Sequence, residues 1–133
     1  MTVIRSSPDV GYINPAIMSS IGVSHVVRAH GFAHFSGIVA ADAQLNCVAP
    51  GNIRAQAVHV LATLKKLLAA EGLGFADVVS TTVYTTDVGA LAEHAHLFAE
   101  AHGDHHPAST WLEIRALARP EFLLELVVIA AYP

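Results

Sequence analysis

The chain has 133 residues, enough for one domain, and 7 lysines and arginines against 11 aspartates and glutamates give a formal net charge of −4. Hydrophobic residues make up 53% and charged residues 14%, which excludes intrinsic disorder because so much apolar surface can be buried. We do not expect the chain to bind duplex nucleic acid. Neutralising the phosphates needs clustered cationic side chains, and here the few lysines and arginines are scattered.

The periodicity of the apolar residues predicts eight elements. Within 53–70 these residues recur every three or four positions, which is typical of a helix with one buried face. The segment 78–86 is dense in β-branched residues, which is typical of a strand. Asn52 and Asp87 are placed as N-caps of two helices, and a glycine follows each helix. The predicted elements are strands 2–6, 26–29 and 32–36, helix 53–70, strand 78–86, helix 88–102, and strands 109–115 and 123–131.

This order predicts a single α/β domain over residues 1–133, with a mixed β-sheet. Strands 26–29 and 32–36 are joined by the short turn His30-Gly31, which predicts an antiparallel hairpin. The later strand–helix–strand units favour parallel neighbours. Two helices can cover only one face of such a sheet. Because the small domain also has an apolar surplus, a second copy of the chain is the simplest cover for the other face.

We also expect a cytoplasmic location and no membrane span. The longest apolar stretch, 122–132, is interrupted by Glu125 and is shorter than the ~20 residues that a bilayer needs. The N-terminus lacks the pattern of a signal peptide. The single cysteine, Cys47, permits no internal disulfide, which fits a reducing compartment.

Nine histidines are many for a chain of this length. His102, His105 and His106 are close in sequence but lack a recognised zinc-ligand spacing, so we expect solvated loop side chains and no metal site. His25 and His34 flank the hairpin. They either line a cleft, where imidazoles can transfer protons near neutral pH, or have purely structural roles.

Polar residues also mark two strand ends. Ser36-Gly37 follows a hairpin strand and either offers a hydroxyl and backbone amides to a ligand or simply permits a turn. On strand 109–115, the two-residue period places Glu113 and Arg115 on one face together with Ser109 and Trp111. The pair Glu113–Arg115 is either catalytic or, as we favour, a mutually satisfied structural contact. We expect this polar face to turn toward a neighbouring subunit, and the face of Leu112 and Ile114 to meet the helices.

Five segments, in this order, carry a resemblance over residues 22–131: Ser36-Gly37, 55–73, 77–87, Pro107-Ala108 and 125–130. Together they resemble the Rid family (reactive intermediate deaminase, also called YjgF), some of whose members are described as translation inhibitors or endoribonucleases. The resemblance implies a chorismate-mutase-like α/β subunit and a homotrimer. It also implies that the three sheets form a central β-barrel, with ligand pockets in the clefts between subunits.

The resemblance implies hydrolysis of enamine or imine acids to keto acids and ammonia, without a cofactor. Active members hold the substrate carboxylate with an Arg after the Pro-Ala pair and orient water with a Glu on the last strand. Here those positions are Ser109 and Val127, and Ala95 stands where a helical Asn is usual. We therefore expect a substrate atypical for the family. The alternative is a non-catalytic trimer that binds a small ligand or regulates another protein.

The expected ligand is a small carboxylate, because another cation can replace the missing Arg. The candidates are Arg28 on the hairpin and Arg115 on the strand of Ser109, with Ser36, Gly37 and Ser109 as further substrate-binding residues. The candidate catalytic residues are Glu113 and His34, whose side chains can transfer protons.

Overall fold

The computed structural model describes residues 2–133. Its strands are β1 (Ile4–Ser6), β2 (Val26–Ala29), β3 (Phe32–Ile38), β4 (Val78–Thr85), β5 (Ala108–Glu113) and β6 (Leu124–Ala131). Its helices are α1 (Pro15–Ser20), α2 (Ile53–Ala70), α3 (Val88–Ala92) and α4 (Ala95–His102), with a 3₁₀ turn at Phe75–Asp77. No helix within this described range is long and apolar enough to cross a membrane.

The six strands form one mixed sheet in the order β1-β2-β3-β6-β4-β5. The pairs are antiparallel except for β4 and β5, which are parallel and are connected through α3 and α4. The last strand therefore lies at the centre, between β3 and β4. The predicted α/β domain with a mixed sheet is confirmed.

Local sequence explains the two best-defined junctions. His30 and Gly31 join β2 to β3 with φ angles of 52° and 79°, as a two-residue turn with both residues left-handed requires. At the start of α2, the Asn52 side chain accepts a hydrogen bond from the Ala55 amide at 2.9 Å, which confirms the predicted N-cap.

The core lies between α2 and the centre of the sheet. Leu64 and Leu68 of α2 are fully buried, as are alternate residues of β6, including Leu124 and Leu126. The intervening β6 residues point to the other face of the sheet and are only half-buried. The strand register places two exposed side chains on the same open face. They are Phe32 and Leu112, which are 41% and 42% exposed.

The structure corrects the predicted helices in two places. The stretch between the predicted strands 2–6 and 26–29, where no element is predicted, contains α1, which begins with Asn14 as N-cap and Pro15 in its first turn, a recognisable start signal. The predicted second helix is two short ones, separated at Glu93-His94. There are thus four α-helices in the described residues, not two.

Candidate functional site

A cavity of about 340 Å³ lies where β3 ends and β6 begins. Ser36 and Gly37 of β3, Arg119 of the preceding loop and Glu125 of β6 line it, and most of the remaining wall is apolar. The antiparallel pairing of β3 with β6 brings these residues together although about 90 positions separate them in the sequence. The cavity therefore combines a cation and a carboxyl group in apolar surroundings.

The carboxyl group of Glu125 lies directly against the backbone of Gly37. A Cβ atom at Gly37 would lie 2.5 Å from both Cδ and Oε2 of Glu125, well inside van der Waals contact. Burial raises the pKa of Glu125, because low-dielectric surroundings disfavour the charged form. Glycine is therefore needed at position 37 for Glu125 to occupy its observed position.

Arg119 supplies the positive charge at this cavity. One guanidinium nitrogen donates a hydrogen bond to the carbonyl of Leu45 at 2.7 Å. A guanidinium has five N–H donors in a planar fork, so further donors remain for a ligand. Within residues 2–133 no carboxylate is ion-paired with Arg119. This arrangement suits an anionic ligand such as a small carboxylate.

The hydroxyl groups near the cavity hold the chain in place. Ser36 Oγ donates to the carbonyl of Ser24 at 2.6 Å, so its proton is already used. Tyr12 Oη accepts from the amide of Val39 at 3.0 Å, and burial raises the Tyr12 pKa to about 12. Tyr12 therefore stays uncharged and fastens the N-terminal segment to the end of β3. Ser36 Oγ can therefore only accept a hydrogen bond from a ligand.

The histidines proposed for the hairpin cleft do not converge. His25 is buried, and its Nε2 lies 2.8 Å from the carbonyl of Ile13, which makes it a structural contact. His34 is exposed on the open face of the sheet, opposite Ile129 in the register. The structure thus separates the candidate catalytic residue His34 from the other candidates within one chain.

The candidate cations of the sequence analysis are also apart from this cavity. Arg28 stacks over the ring of Tyr132, with 4.9 Å between the guanidinium carbon and the ring centroid, and lines a different cavity at the sheet edge. Arg115 is exposed beyond the end of β5. Glu113 accepts a hydrogen bond from the amide of Val88 at 3.0 Å, so its carboxylate contacts the start of α3.

The face assignment of β5 was wrong. Ser109 Oγ accepts a hydrogen bond from Thr81 Oγ1 at 2.8 Å, and the Trp111 ring packs edge-on against Phe98 of α4 at 5.0 Å. The face of Ser109 and Trp111 therefore meets the helices, and Leu112 is 42% exposed on the open face. The indole ring offers far more apolar area than the leucine, so packing of Trp111 decides the orientation.

Burial changes the properties of two further residues, His102 and Cys47. His102, predicted as a solvated loop residue, is the last residue of α4 and is only 6% exposed, because it packs edge-on against Phe75. Cys47 is half-buried, and burial raises its pKa, which disfavours the reactive thiolate. No group of three or more potential metal ligands converges in the part of the chain that the structure describes.

Glu125 and Arg119 were not predicted as site residues from the sequence. A signal existed for Glu125, which is the one charged residue in the apolar strand 123–131. A charge in such a strand is expected to point to an open face or a cavity. Arg119 lies in an irregular loop, so its approach to Glu125 follows from tertiary structure alone.

The chain is similar to proteins of known family. The family model described as endoribonuclease L-PSP matches residues 14–132. A RutC family protein of Pyrococcus horikoshii is 30% identical over 107 residues, which cover 80% of this chain and 84% of that protein. The crystal structure of a YjgF/YER057c/UK114 family member from Mycobacterium tuberculosis superposes with a TM-score of 0.80 at 25% identity, covering 98% and 99% of the two chains. A YjgF family member from Neisseria meningitidis gives 0.74 at 26% identity, covering 100% and 97%.

Proposed function

The chain belongs to the endoribonuclease L-PSP family, the Rid or YjgF family of the sequence analysis, and from that membership we propose that it hydrolyses the C=N bond of a small imine or enamine acid. The observation that carries the proposal is the cavity in which Glu125 lies against Gly37 and Arg119 lines the same wall. This hydrolysis requires a group that transfers protons and a cation that binds the substrate carboxylate, and Glu125 and Arg119 can supply them.

In the proposed reaction, Arg119 binds the substrate carboxylate through its free guanidinium donors. Ionised Glu125 takes a proton from a water molecule as its oxygen attacks the imine carbon. Starting from the protonated imine, the nitrogen of the resulting amino alcohol takes this proton back from Glu125 and leaves as ammonia. As the C–N bond breaks, the hydroxyl group gives its proton to the Glu125 carboxylate and becomes the carbonyl of the keto acid, and Glu125 then passes this proton to the departing ammonia. A carboxyl whose pKa is raised toward neutrality can act in both directions, as base and then as acid.

The substrate is proposed to be atypical for the family. Ser109 and Val127 stand where the resemblance implies an Arg and a Glu. Arg119 and Glu125 approach the cavity from other positions, so they would hold the substrate in a different orientation. We therefore expect little turnover of the small imines that threonine and serine dehydratases release.

We propose that the working unit is a homotrimer with a β-barrel core and the site in a cleft between subunits. Support comes from the open sheet face, where Glu125, Val127 and Ile129 are half-buried and Phe32 and Leu112 exposed. A neighbouring copy would bury this face and could bring its own Arg28 or Arg115 near the cavity. Light scattering on a sizing column should give three times 14.0 kDa; a monomer at micromolar concentration would contradict this assembly.

RNA cleavage, which the family description names, is not the activity proposed here. The net charge of −4 and the 7 lysines and arginines provide no cationic track for a phosphate backbone.

The decisive test supplies imino acids directly. An amino-acid oxidase generates them in situ from a panel of amino acids, and semicarbazide traps whatever imine remains. We expect faster keto-acid formation with at least one member of the panel, and loss of this acceleration in Glu125→Gln and Arg119→Met. The matched control is Arg54→Met, at an exposed position on α2. Unchanged activity of Glu125→Gln would refute the proposed role of its carboxyl group.

The same panel of imino acids distinguishes the proposed hydrolase from the alternative, a non-catalytic trimer that binds a small ligand. This alternative is favoured by Val127, an apolar side chain where the resemblance implies a catalytic Glu. Calorimetry with the matching keto acids would then show Arg119-dependent binding without any acceleration of imine hydrolysis. Loss of binding in Arg28→Met or Arg115→Met, with Arg119→Met unaffected, would instead assign the carboxylate to a cation from a neighbouring subunit.

A further inference from the structure

A second cavity, of about 200 Å³, lies between α4 and β5 on the helix-bearing face of the sheet. Phe98, Ala99 and His102 of α4 line one side, and Ser109 and Trp111 of β5 line the other. None of its wall residues belongs to the cavity of Glu125 and Arg119. This second cavity has no part in the proposed hydrolysis.

The wall of this cavity is apolar and without fixed charge. Lysine, arginine, aspartate and glutamate are all missing from its wall as formed by residues 2–133, where the titratable groups are the imidazoles of His102 and His106. His102 is 6% exposed, and burial lowers its pKa, so this imidazole is uncharged at neutral pH. The aromatic pair Phe98–Trp111 supplies flat apolar surface, with ring planes 63° apart.

The wall carries one exposed hydroxyl group and one buried polar atom without a partner. Ser109 Oγ accepts a hydrogen bond from Thr81, which leaves the hydroxyl proton of Ser109 free to be donated. The buried Nδ1 of His102 has no hydrogen-bond partner among the described residues. The exposed imidazole of the wall is that of His106, and Ser109 and His106 together can donate a hydrogen bond to a ligand hydroxyl group and accept one from it.

We propose that this cavity binds a small uncharged aromatic molecule that carries one hydroxyl group, that is, a ligand of the phenol class. The size fits a single ring, since an apolar cavity of ~150 Å³ is enough to bind benzene. The ring packs against Trp111 and Phe98, and its hydroxyl group exchanges hydrogen bonds with Ser109 and the imidazole of His106. A carboxylate or an ammonium group is disfavoured because the wall offers no opposite charge to offset its desolvation.

Trp111 is the single tryptophan of the chain, so its fluorescence reports on this cavity. We expect phenol, titrated at pH 8 where imidazoles in general are uncharged, to change the emission with saturation. Benzoate and benzylamine should require at least tenfold higher concentrations. A non-saturating response to phenol, or equal responses to all three molecules, would overturn the proposal.

Two variants localise the binding. Ala99 is an exposed wall residue of α4, so Ala99→Leu should fold normally, narrow the cavity and weaken phenol binding at least tenfold. The matched control, Ala95→Leu, changes an exposed alanine of the same helix outside the wall and should bind phenol as the wild type does. If Ala99→Leu binds phenol with unchanged affinity, the molecule binds elsewhere and the proposal is wrong.

Discussion

Gln56 connects the longest helix to the segment that carries the candidate site. This α2 residue is fully buried, and its side-chain nitrogen donates to the carbonyls of Glu121 at 2.9 Å and Ala49 at 3.2 Å. Its side-chain oxygen accepts from the amide of Leu123 at 2.9 Å. The bonds to Glu121 and Leu123 hold the stretch of chain between Arg119 and Glu125.

Gln56→Met keeps the length of the side chain and its helix propensity but removes all of these bonds. The amide of Leu123 then loses its partner, and an unsatisfied buried group costs about 1–3 kcal/mol. The carbonyls of Ala49 and Glu121 each lose one of two donors, at about 0.5–1.5 kcal/mol per bond, and keep the Asn52 amide and the Cys47 thiol, respectively. Since Glu121 is only half-buried and water can reach part of this segment, we expect a total loss of about 3–5 kcal/mol. That is a large share of the ~5–15 kcal/mol that stabilises a typical domain.

Urea unfolding followed by Trp111 fluorescence measures this loss, at equal protein concentration because oligomers unfold in a concentration-dependent way. The matched control is Ala62→Met, which places the same new side chain at an exposed position of the same helix and should change stability by less than about 0.5 kcal/mol. A loss below about 1 kcal/mol in Gln56→Met would show that these hydrogen bonds are replaced by water or are dispensable.

Three further variants test the site and the caps. Gly37→Ala should displace the Glu125 carboxyl by about 1 Å and lower kcat/KM about 100-fold on whichever imino acid of the panel reacts, with little change in stability; activity near the wild-type level would contradict the packing argument. Burial raises the pKa of Glu125 in the folded state, so its contribution to stability is present below the ordinary pKa and is lost as the pH rises through the folded value. The unfolding free energy of Glu125→Gln relative to wild type should therefore increase between pH 4 and pH 7, as urea titrations at both values would show. Asn52→Ala removes the cap of α2 and should cost about 1 kcal/mol by the same assay, whereas Asn46→Ala, at an exposed loop position, should cost less.

The elements that could be predicted are those with a local physical cause. The β2–β3 turn follows from His30-Gly31, where a glycine and a residue tolerant of positive φ stand together. The start of α2 follows from the Asn52 cap, and its buried face from apolar spacing. The start of α1 was also readable, from Asn14 followed by Pro15, and was missed.

The candidate site was only half predictable. The resemblance pointed to Ser36 and Gly37, which line the cavity, but neither the position of Arg119 nor the contact of Glu125 with Gly37 follows from local patterns. For β5, the period of two correctly grouped Ser109 with Trp111. Which face of the strand meets the helices depends on the packing of Trp111 against α4, and the alternation of residues within the strand carries no information about that contact.

The sequence by itself determined the α/β composition, the hairpin, the long helix and the surplus of apolar surface, because turns, caps and periodicity act over a few neighbouring residues. Tertiary structure decided that β6 inserts between β3 and β4, and this insertion places Glu125 beside Gly37. It also decided the burial of His102 and the orientation of β5. These features depend on which distant surfaces pack together, and the free energy of that packing is shared among residues that no short stretch of sequence contains.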